Sequence, residues 1–142
     1  MKTNEYFKNK EWLVPPGLLK KFKDFEKISE FLIEMWGTGN RNRPILIYGP
    51  TGVGKSLFVD LFIFKFARFI KKKEFPIQRI NCAAFPEDLI DAELFGYKKG
   101  AFTGANTDYK GAFGNAEDGI LIMEELGELP KYLQAKLLIR GS

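Results

Sequence analysis

Histidine is absent from the 142 residues, and cysteine occurs once, as Cys82. Without histidine, any general base has to be a carboxylate, and zinc sites built on imidazole are excluded. A lone cysteine cannot close an internal disulfide, which fits a reducing cytosol and a cytoplasmic protein. Cys82 follows a strand-like run among apolar neighbours and is read as a small buried side chain, not a nucleophile. Long apolar runs are missing too. The most hydrophobic stretch, 57–70, is interrupted by Asp60, Lys65 and Arg68, and it is shorter than the ~20 residues of a membrane span. The Lys- and Asn-rich N-terminus has no apolar centre and does not read as a signal peptide. There is no long basic block: the net charge of +4 is spread along the chain, which is weak support for nucleic acid and fits a solvated surface. What is plentiful is core material, because hydrophobic residues make up 45% of the chain, enough for one domain of ordinary size.

The strongest local pattern is Gly49-Pro50-Thr51-Gly52-Val53-Gly54-Lys55-Ser56, a GxxxxGK[S/T] loop. Its glycines let backbone N–H groups turn inward around phosphates, Lys55 supplies a point charge, and the Ser56 hydroxyl can ligate Mg²⁺. Ile45-Leu46-Ile47-Tyr48 before it reads as a buried strand, and the run from Lys55 to about Lys73 reads as a helix that is apolar on nearly every side. That helix places its N-terminal amides and positive dipole end against the loop. The expected nucleotide set therefore runs from Gly49 through Ser56 to Leu57, with ATP or GTP, and Mg²⁺, as cofactors; the bland alternative is a glycine-rich turn with a chance Lys-Ser.

Upstream, residues 1–16 have no clear period and read as an irregular arm. Leu18, Phe22, Phe25, Ile28, Leu32 and Met35 then recur at helical spacing until Gly37-Thr38-Gly39-Asn40, predicting an amphipathic helix. Its stripe, with Trp36, reads as core packing before it reads as a platform for adenine. Downstream, Lys71-Lys72-Lys73 suits the negative end of the preceding helix. Ile77 to Asn81 reads as a second strand, Pro86 opens a short helix through Leu94, and Gly100 to Ala105 looks too flexible and exposed for core. Lys110-Gly111-Ala112-Phe113 echoes that segment once. Ile120 to Met123 reads as a third buried strand ending in Glu124-Glu125, and Pro130 starts a last helix whose apolar face includes Leu133, Leu137 and Leu138. The chain stops at Gly141-Ser142 in mid-pattern, which reads as an artificial boundary.

A phosphate loop after one strand and two carboxylates after a later one suggest the two halves of a nucleoside triphosphatase site. In that pattern the first acid, Glu124, holds Mg²⁺ through water together with Ser56, and Glu125 is the candidate base. The alternative is a solvated strand end. The segments Asn81-Cys82-Ala83-Ala84, Glu93-Leu94-Phe95-Gly96, Lys99 through Ala105, Gly127-Glu128-Leu129-Pro130 and Leu133 through Leu138 resemble the central AAA+ domain of the sigma-54-dependent transcriptional activators. The resemblance runs from about Pro44 to Leu138. It implies a three-layer α/β P-loop fold, a parallel sheet with helices on both faces, truncated before its later strands. It divides the chain into an arm and helix over 1–43, a partial ATPase core over 44–138 and an end piece over 139–142.

The same resemblance implies roles for residues. Lys55 and Ser56 match the Walker A pair and Glu125 the catalytic Walker B glutamate. Asn81 matches an asparagine that switches that glutamate, so Lys55, Asn81 and Glu125 form the implied catalytic set. Gly100, Ala101, Phe102, Thr103, Gly104 and Ala105 match the loop that contacts sigma-54, with Phe102 and Thr103 at its tip. The implied partners are sigma-54 RNA polymerase holoenzyme, copies of the chain in a hexameric ring, and DNA through a domain absent here, with no membrane. Two features depart from the pattern: Glu124 stands where the family usually has Asp, and Gly49-Pro50-Thr51-Gly52 differs from the commoner Gly-Glu-Ser-Gly. The sensor regions and arginine finger of the family lie beyond Ser142, and so does a strand expected between the phosphate-loop strand and the Walker B strand. Two rival readings remain: a degenerate P-loop module without ATP turnover, and a GTPase switch, for which no Asn-Lys-x-Asp-like signature is present.

Overall fold

The computed structural model of the chain describes residues 19–37, 44–70 and 74–140. These fall in two compact units, divided between residues 70 and 74. The expected N-terminal arm, the Thr38-Gly39-Asn40 break, the Lys71-Lys72-Lys73 cap, the Trp36 and Leu138 side chains and the Gly141-Ser142 end lie outside the described residues.

In the first unit the amphipathic stripe folds as helix α1, Leu19–Gly37, and the segment after the glycine loop folds as helix α2, Lys55–Phe69. Ile33 of α1 and Phe58 and Phe62 of α2 are buried together, with Phe25, Leu32, Ile45, Ile47 and Phe66 packed around them. Phe58, Phe62 and Phe66 recur every four residues, so their rings form a column along one side of α2, with centroids 6.5 and 6.1 Å apart. The Phe25 ring meets Phe58 edge-on at 5.3 Å; such pairs add about 0.5–1.5 kcal/mol beyond the area they bury. Ser29 is wholly buried in α1 and donates its hydroxyl to the Phe25 carbonyl at 2.7 Å, so its polar group is satisfied inside its own helix. Lys65 of α2 donates to Glu30 at 2.7 Å and pairs with Glu26 at 3.5 Å. The Glu30 hydrogen bond is the main cause that holds its ammonium above the usual lysine range.

Two sequence expectations change here. The run 45–48 forms no ladder: Ile45 and Ile47 turn inward while Leu46 and Tyr48 stay 71% and 89% exposed. Its apolar alternation is satisfied on one side only, and an extended segment becomes a strand when another strand takes up its N–H and C=O groups. Helix α2 is also less enclosed than its composition suggests. Phe64 and Phe69 are exposed, and Arg68 covers the Phe64 ring at 5.6 Å.

The second unit is built on two parallel strands, β1 over Ile77–Asn81 and β2 over Ile120–Glu124, the pair of strands among the described residues. The register sets Ile77 opposite Ile120, Arg79 opposite Ile122 and Asn81 opposite Glu124. Between them the chain makes a short 3₁₀ turn over Cys82–Ala84, helix α3 over Glu87–Phe95 and helix α4 over Gly111–Asn115. After β2 come a second 3₁₀ turn, Leu126–Glu128, and helix α5, Lys131–Arg140. Ile80, Cys82, Ile90, Leu94, Ala112, Leu129 and Leu133 are buried as one core, with Leu121 and Met123 against it. Cys82 is buried as expected, and burial pushes its thiol up from the ordinary cysteine value. No helix among the described residues is long and apolar enough to cross a membrane.

The segment Lys110 to Phe113, which echoes the preceding loop in sequence, opens helix α4 although glycines are poor helix formers. Gly111 is there for a close approach. Its φ is +69°, and a Cβ on it would stand 2.4 Å from the backbone nitrogen of Gly96, which itself has φ +78°. Gly111→Ala should therefore cost roughly 3 kcal/mol or more, combining backbone strain with overpacking. Gly100→Ala, where φ is +84° but a Cβ would meet nothing within 4 Å, should cost only the ~1–2 kcal/mol of the left-handed conformation. Chemical denaturation of both variants checks the contrast, and equal losses would remove the close-approach explanation.

Candidate functional site

In the first unit the glycine loop runs out of the extended segment into α2. Gly52 and Gly54 have φ +79° and +100°, a conformation that L side chains adopt only under strain. Gly54 is the cap residue of α2, which has no side-chain cap and no acidic residue in its first turn. No acidic side chain of its own first turn offsets the positive end of the helix dipole there. The Lys55 ammonium turns back and donates to the carbonyls of Gly49 at 2.8 Å and Pro50 at 3.0 Å, which sets it at the mouth of the loop. Pro50, Thr51 and Ser56 are exposed, and Val53 and Leu57 are half-buried. Glycine conformations, free amides, a lysine and an exposed hydroxyl form a donor set that fits a chain of phosphates.

In the second unit the strand ends bring polar groups together. Asn81 stands opposite Glu124, and its Oδ1 accepts from the Ala83 N–H at 2.9 Å, capping the 3₁₀ turn. Glu125 leaves β2 with φ +52° and ψ +44° and is exposed. Left-handed backbone costs a non-glycine residue about 1–2 kcal/mol, and strain of this kind gathers at functional sites. Glu124 does not stand free as a metal ligand, because the Arg79 guanidinium donates to its carboxylate. Among the described residues no three Asp, Glu, Cys or His side chains group as a metal site. Ser56 thus fits a divalent cation beside bound phosphates, whereas Glu124 as placed here does not.

The segment Gly100 to Ala105 is a hydrogen-bonded turn, not a slack loop. Gly100 N–H donates to the Ala105 carbonyl at 2.9 Å, and Ala105 N–H donates to that of Phe102 at 3.0 Å. Its neck is an antiparallel bridge in which Tyr97 and Tyr109 exchange backbone bonds of 2.8 and 2.9 Å. Asp108 tightens the neck by accepting from the Lys99 N–H at 2.8 Å and the Lys98 ammonium at 3.0 Å. The Tyr109 hydroxyl donates to Glu93 at 3.2 Å, and its phenol is pushed up by burial first and by the Glu93 charge second. Ala105, expected to contribute little burial, is a buried anchor; Gly100, Ala101, Thr103 and Gly104 are exposed. Phe102 does not enter the core. It stays 49% exposed and rests edge-on against the Tyr97 ring at 4.8 Å. This contact of Phe102 with Tyr97 had no signal in the sequence beyond a tyrosine five positions before a phenylalanine.

The Sigma-54 interaction domain family matches residues 23–140. The chain is 42% identical over 113 residues to the nitric oxide reductase transcription regulator NorR2 of Cupriavidus necator, which covers 80% of this chain and 21% of that protein. It is 46% identical over 94 residues to the regulatory protein AtoC of Escherichia coli, covering 66% of this chain and 20% of that protein. It therefore spans about a fifth of the length of the curated relatives it matches. The crystal structure of NtrX from Brucella abortus resembles it in fold, with a TM-score of 0.63 over 89% of this chain and 24% of the other, at 23% identity. The fold is accordingly the α/β P-loop type of that family, a parallel sheet with helices.

The neck of the loop carries a pH dependence. Asp108 is held below the ordinary carboxylate value of 3.8, first by the Lys99 N–H and then by Lys98. Its folded value is depressed, so its contribution is complete above the ordinary value and is lost as pH falls through the folded one. On acid titration the Lys99 amide resonance should move over a window that begins near pH 4 and extends below it, and Asp108→Asn should abolish the movement. An unchanged titration in the variant would assign it to another group.

Proposed function

The chain belongs to the Sigma-54 interaction domain family, and on that footing we propose that it is the ATP-binding part of a cytoplasmic, sigma-54-dependent transcription regulator. The observation that carries the reading is the Lys55 ammonium folded onto the carbonyls of its own glycine loop at the uncapped start of α2. An ammonium so placed has to exchange those carbonyls for phosphate oxygens when nucleotide enters, and the α2 amides would take the remaining oxygens. Mg²⁺ would sit on the Ser56 hydroxyl and supply charge neutralisation for the phosphates. Glu125 would accept the proton of an attacking water, the task that falls to a carboxylate in a chain without histidine. Asn81 would restrain Glu125 from the end of the neighbouring strand.

The turn over Gly100 to Ala105 is the proposed contact for sigma-54 holoenzyme. It offers one large apolar ring at its tip and a hydroxyl on Thr103 beside it, on a neck rigid enough to aim them; a lone aromatic of this kind suits a pocket in a partner. Self-association into a hexameric ring belongs to the same reading, as does DNA contact by a further domain of the whole protein. A second reading, nucleotide binding without turnover, is favoured by one feature: the Glu124 carboxylate is taken up by Arg79.

Lys55→Ala should weaken ATP binding by ~10–100-fold, the loss of a charge-assisted contact, as measured by calorimetry. Glu125→Gln should keep ATP affinity and lose whatever phosphate release the unaltered chain has; phosphate release that survives would remove Glu125 from the reaction. Phe102→Ala should weaken binding of purified sigma-54 by about 30-fold, the scale of an interface hot spot, with ATP affinity and helix content unchanged. Loss of fold or of nucleotide binding instead would make Phe102 a structural residue.

A further inference from the structure

A column of rings ties the exposed tip of the loop to helix α3. Tyr97 and Tyr109 stand directly opposite each other in the antiparallel bridge, and residues so paired share a face; their ring centroids are 5.5 Å apart. The Tyr109 hydroxyl donates to Glu93 of α3 at 3.2 Å, which fixes the foot of the column. Beyond Tyr97 the chain doubles back. Ala101 N–H donates to the Lys98 carbonyl at 3.1 Å and Gly100 N–H to that of Ala105 at 2.9 Å, while Gly100 and Gly104 take positive φ on either side of the tip. The reversal returns Phe102 over the neck, where its ring meets Tyr97 at 4.8 Å with an interplanar angle of 64°. Tyr97 is half-buried, whereas Phe102 stays 49% exposed. An edge-on contact covers part of a ring and leaves the rest to solvent. A phenylalanine free to turn gives up rotamers when it enters a pocket, and a ring already held gives up fewer.

We propose that Tyr97 is a positioning residue for the partner contact: its ring holds the Phe102 side chain in one outward rotamer, ready for a pocket of the partner. This rests on the reading of the loop as the sigma-54 contact. The opposite role, a ring that Phe102 has to leave before it can bind, is disfavoured by the half of the phenylalanine surface that the contact leaves open. Holding the rotamer contributes on the scale of one aromatic pair, about 2–10-fold in affinity.

The Hα–Hβ couplings of Phe102 in the purified chain test the holding without any partner. A single rotamer, with ring-to-ring nuclear Overhauser contacts to Tyr97, is expected in the unaltered chain and in Tyr97→Phe. Rotamer averaging is expected in Tyr97→Leu. Averaged couplings in the unaltered chain, or a single rotamer that survives Tyr97→Leu, overturn the proposal whether or not sigma-54 binds. With purified sigma-54, Tyr97→Leu should weaken binding about 2–10-fold, and Tyr97→Phe should bind as the unaltered chain does. In the Phe102→Ala background Tyr97→Leu should cost nothing further, since no ring is left to hold. Tighter binding by Tyr97→Leu would make Tyr97 a restraint, and an equal loss in the Phe102→Ala background would make it a contact or scaffold residue in its own right; either overturns the proposal. Should Tyr97→Leu open the neck, seen as faster exchange of the Tyr97 and Tyr109 amides, Tyr97→Val, whose branched side chain suits an extended pair, takes its place. Unchanged sigma-54 binding by Phe102→Ala would defeat the contact reading, while the couplings still decide the role of Tyr97.

Discussion

The parallel ladder between β1 and β2 is the constraint on which the second unit depends. One face of it, through Ile80, Leu121 and Met123, closes onto Ile90 and Leu94 of α3, Ala112 of α4 and Leu133 of α5. The other face carries Arg79, Asn81 and Glu124 together with Ile77 and Ile122, both of which are buried. Because side chains alternate, a slip of one residue would move Ile122 and Glu124 to the face opposite Ile77 and Asn81, so the packing on both faces enforces a single register. The ladder continues through the Ile120 N–H, which donates to the Pro76 carbonyl at 2.9 Å. Polar chemistry at the strand ends is thus positioned by packing several residues away.

The same economy governs the loop. Its tip is exposed and apolar, a combination that water disfavours, and it is kept from collapsing inward by a neck in which two glycines pass at a distance no side chain would allow. The Phe95 and Phe113 rings, close to these glycines in sequence, stack on each other at 5.3 Å, and Lys136 of α5 covers Phe95 at 4.0 Å. The neck is held by paired backbone bonds and by Asp108, and the tip by one ring contact and short backbone bonds. A loop of this build can change the position of its tip without disturbing the core beneath.

Much of this was legible in the sequence because it follows from local pattern. Ile77 to Asn81 and the apolar run Ile120 to Met123 have strand length, α1 and α2 follow the helical period or a glycine start, and Cys82 is buried where its neighbours predicted. What was not legible depends on partners distant in sequence. Residues 45–48 have the composition of a strand, but a ladder needs a second chain segment, and none among the described residues pairs with them. Helix α4 is disguised by glycines selected for close approach. The Arg79–Glu124 pair joins residues 45 apart, and only the register reveals that they lie on one diagonal. Ala105 looked like loop filler because a methyl group carries no pattern; its burial comes from the fold of the neck.

The central claim is that the loop before α2 binds phosphate through its own backbone. Amide hydrogen exchange across residues 49–58 measures this directly, with ATP and with adenosine as the ligand that lacks phosphates. Slowing of the Gly52 to Leu57 amides with ATP and not with adenosine is the predicted result. Equal slowing with both, or none with ATP, would contradict it.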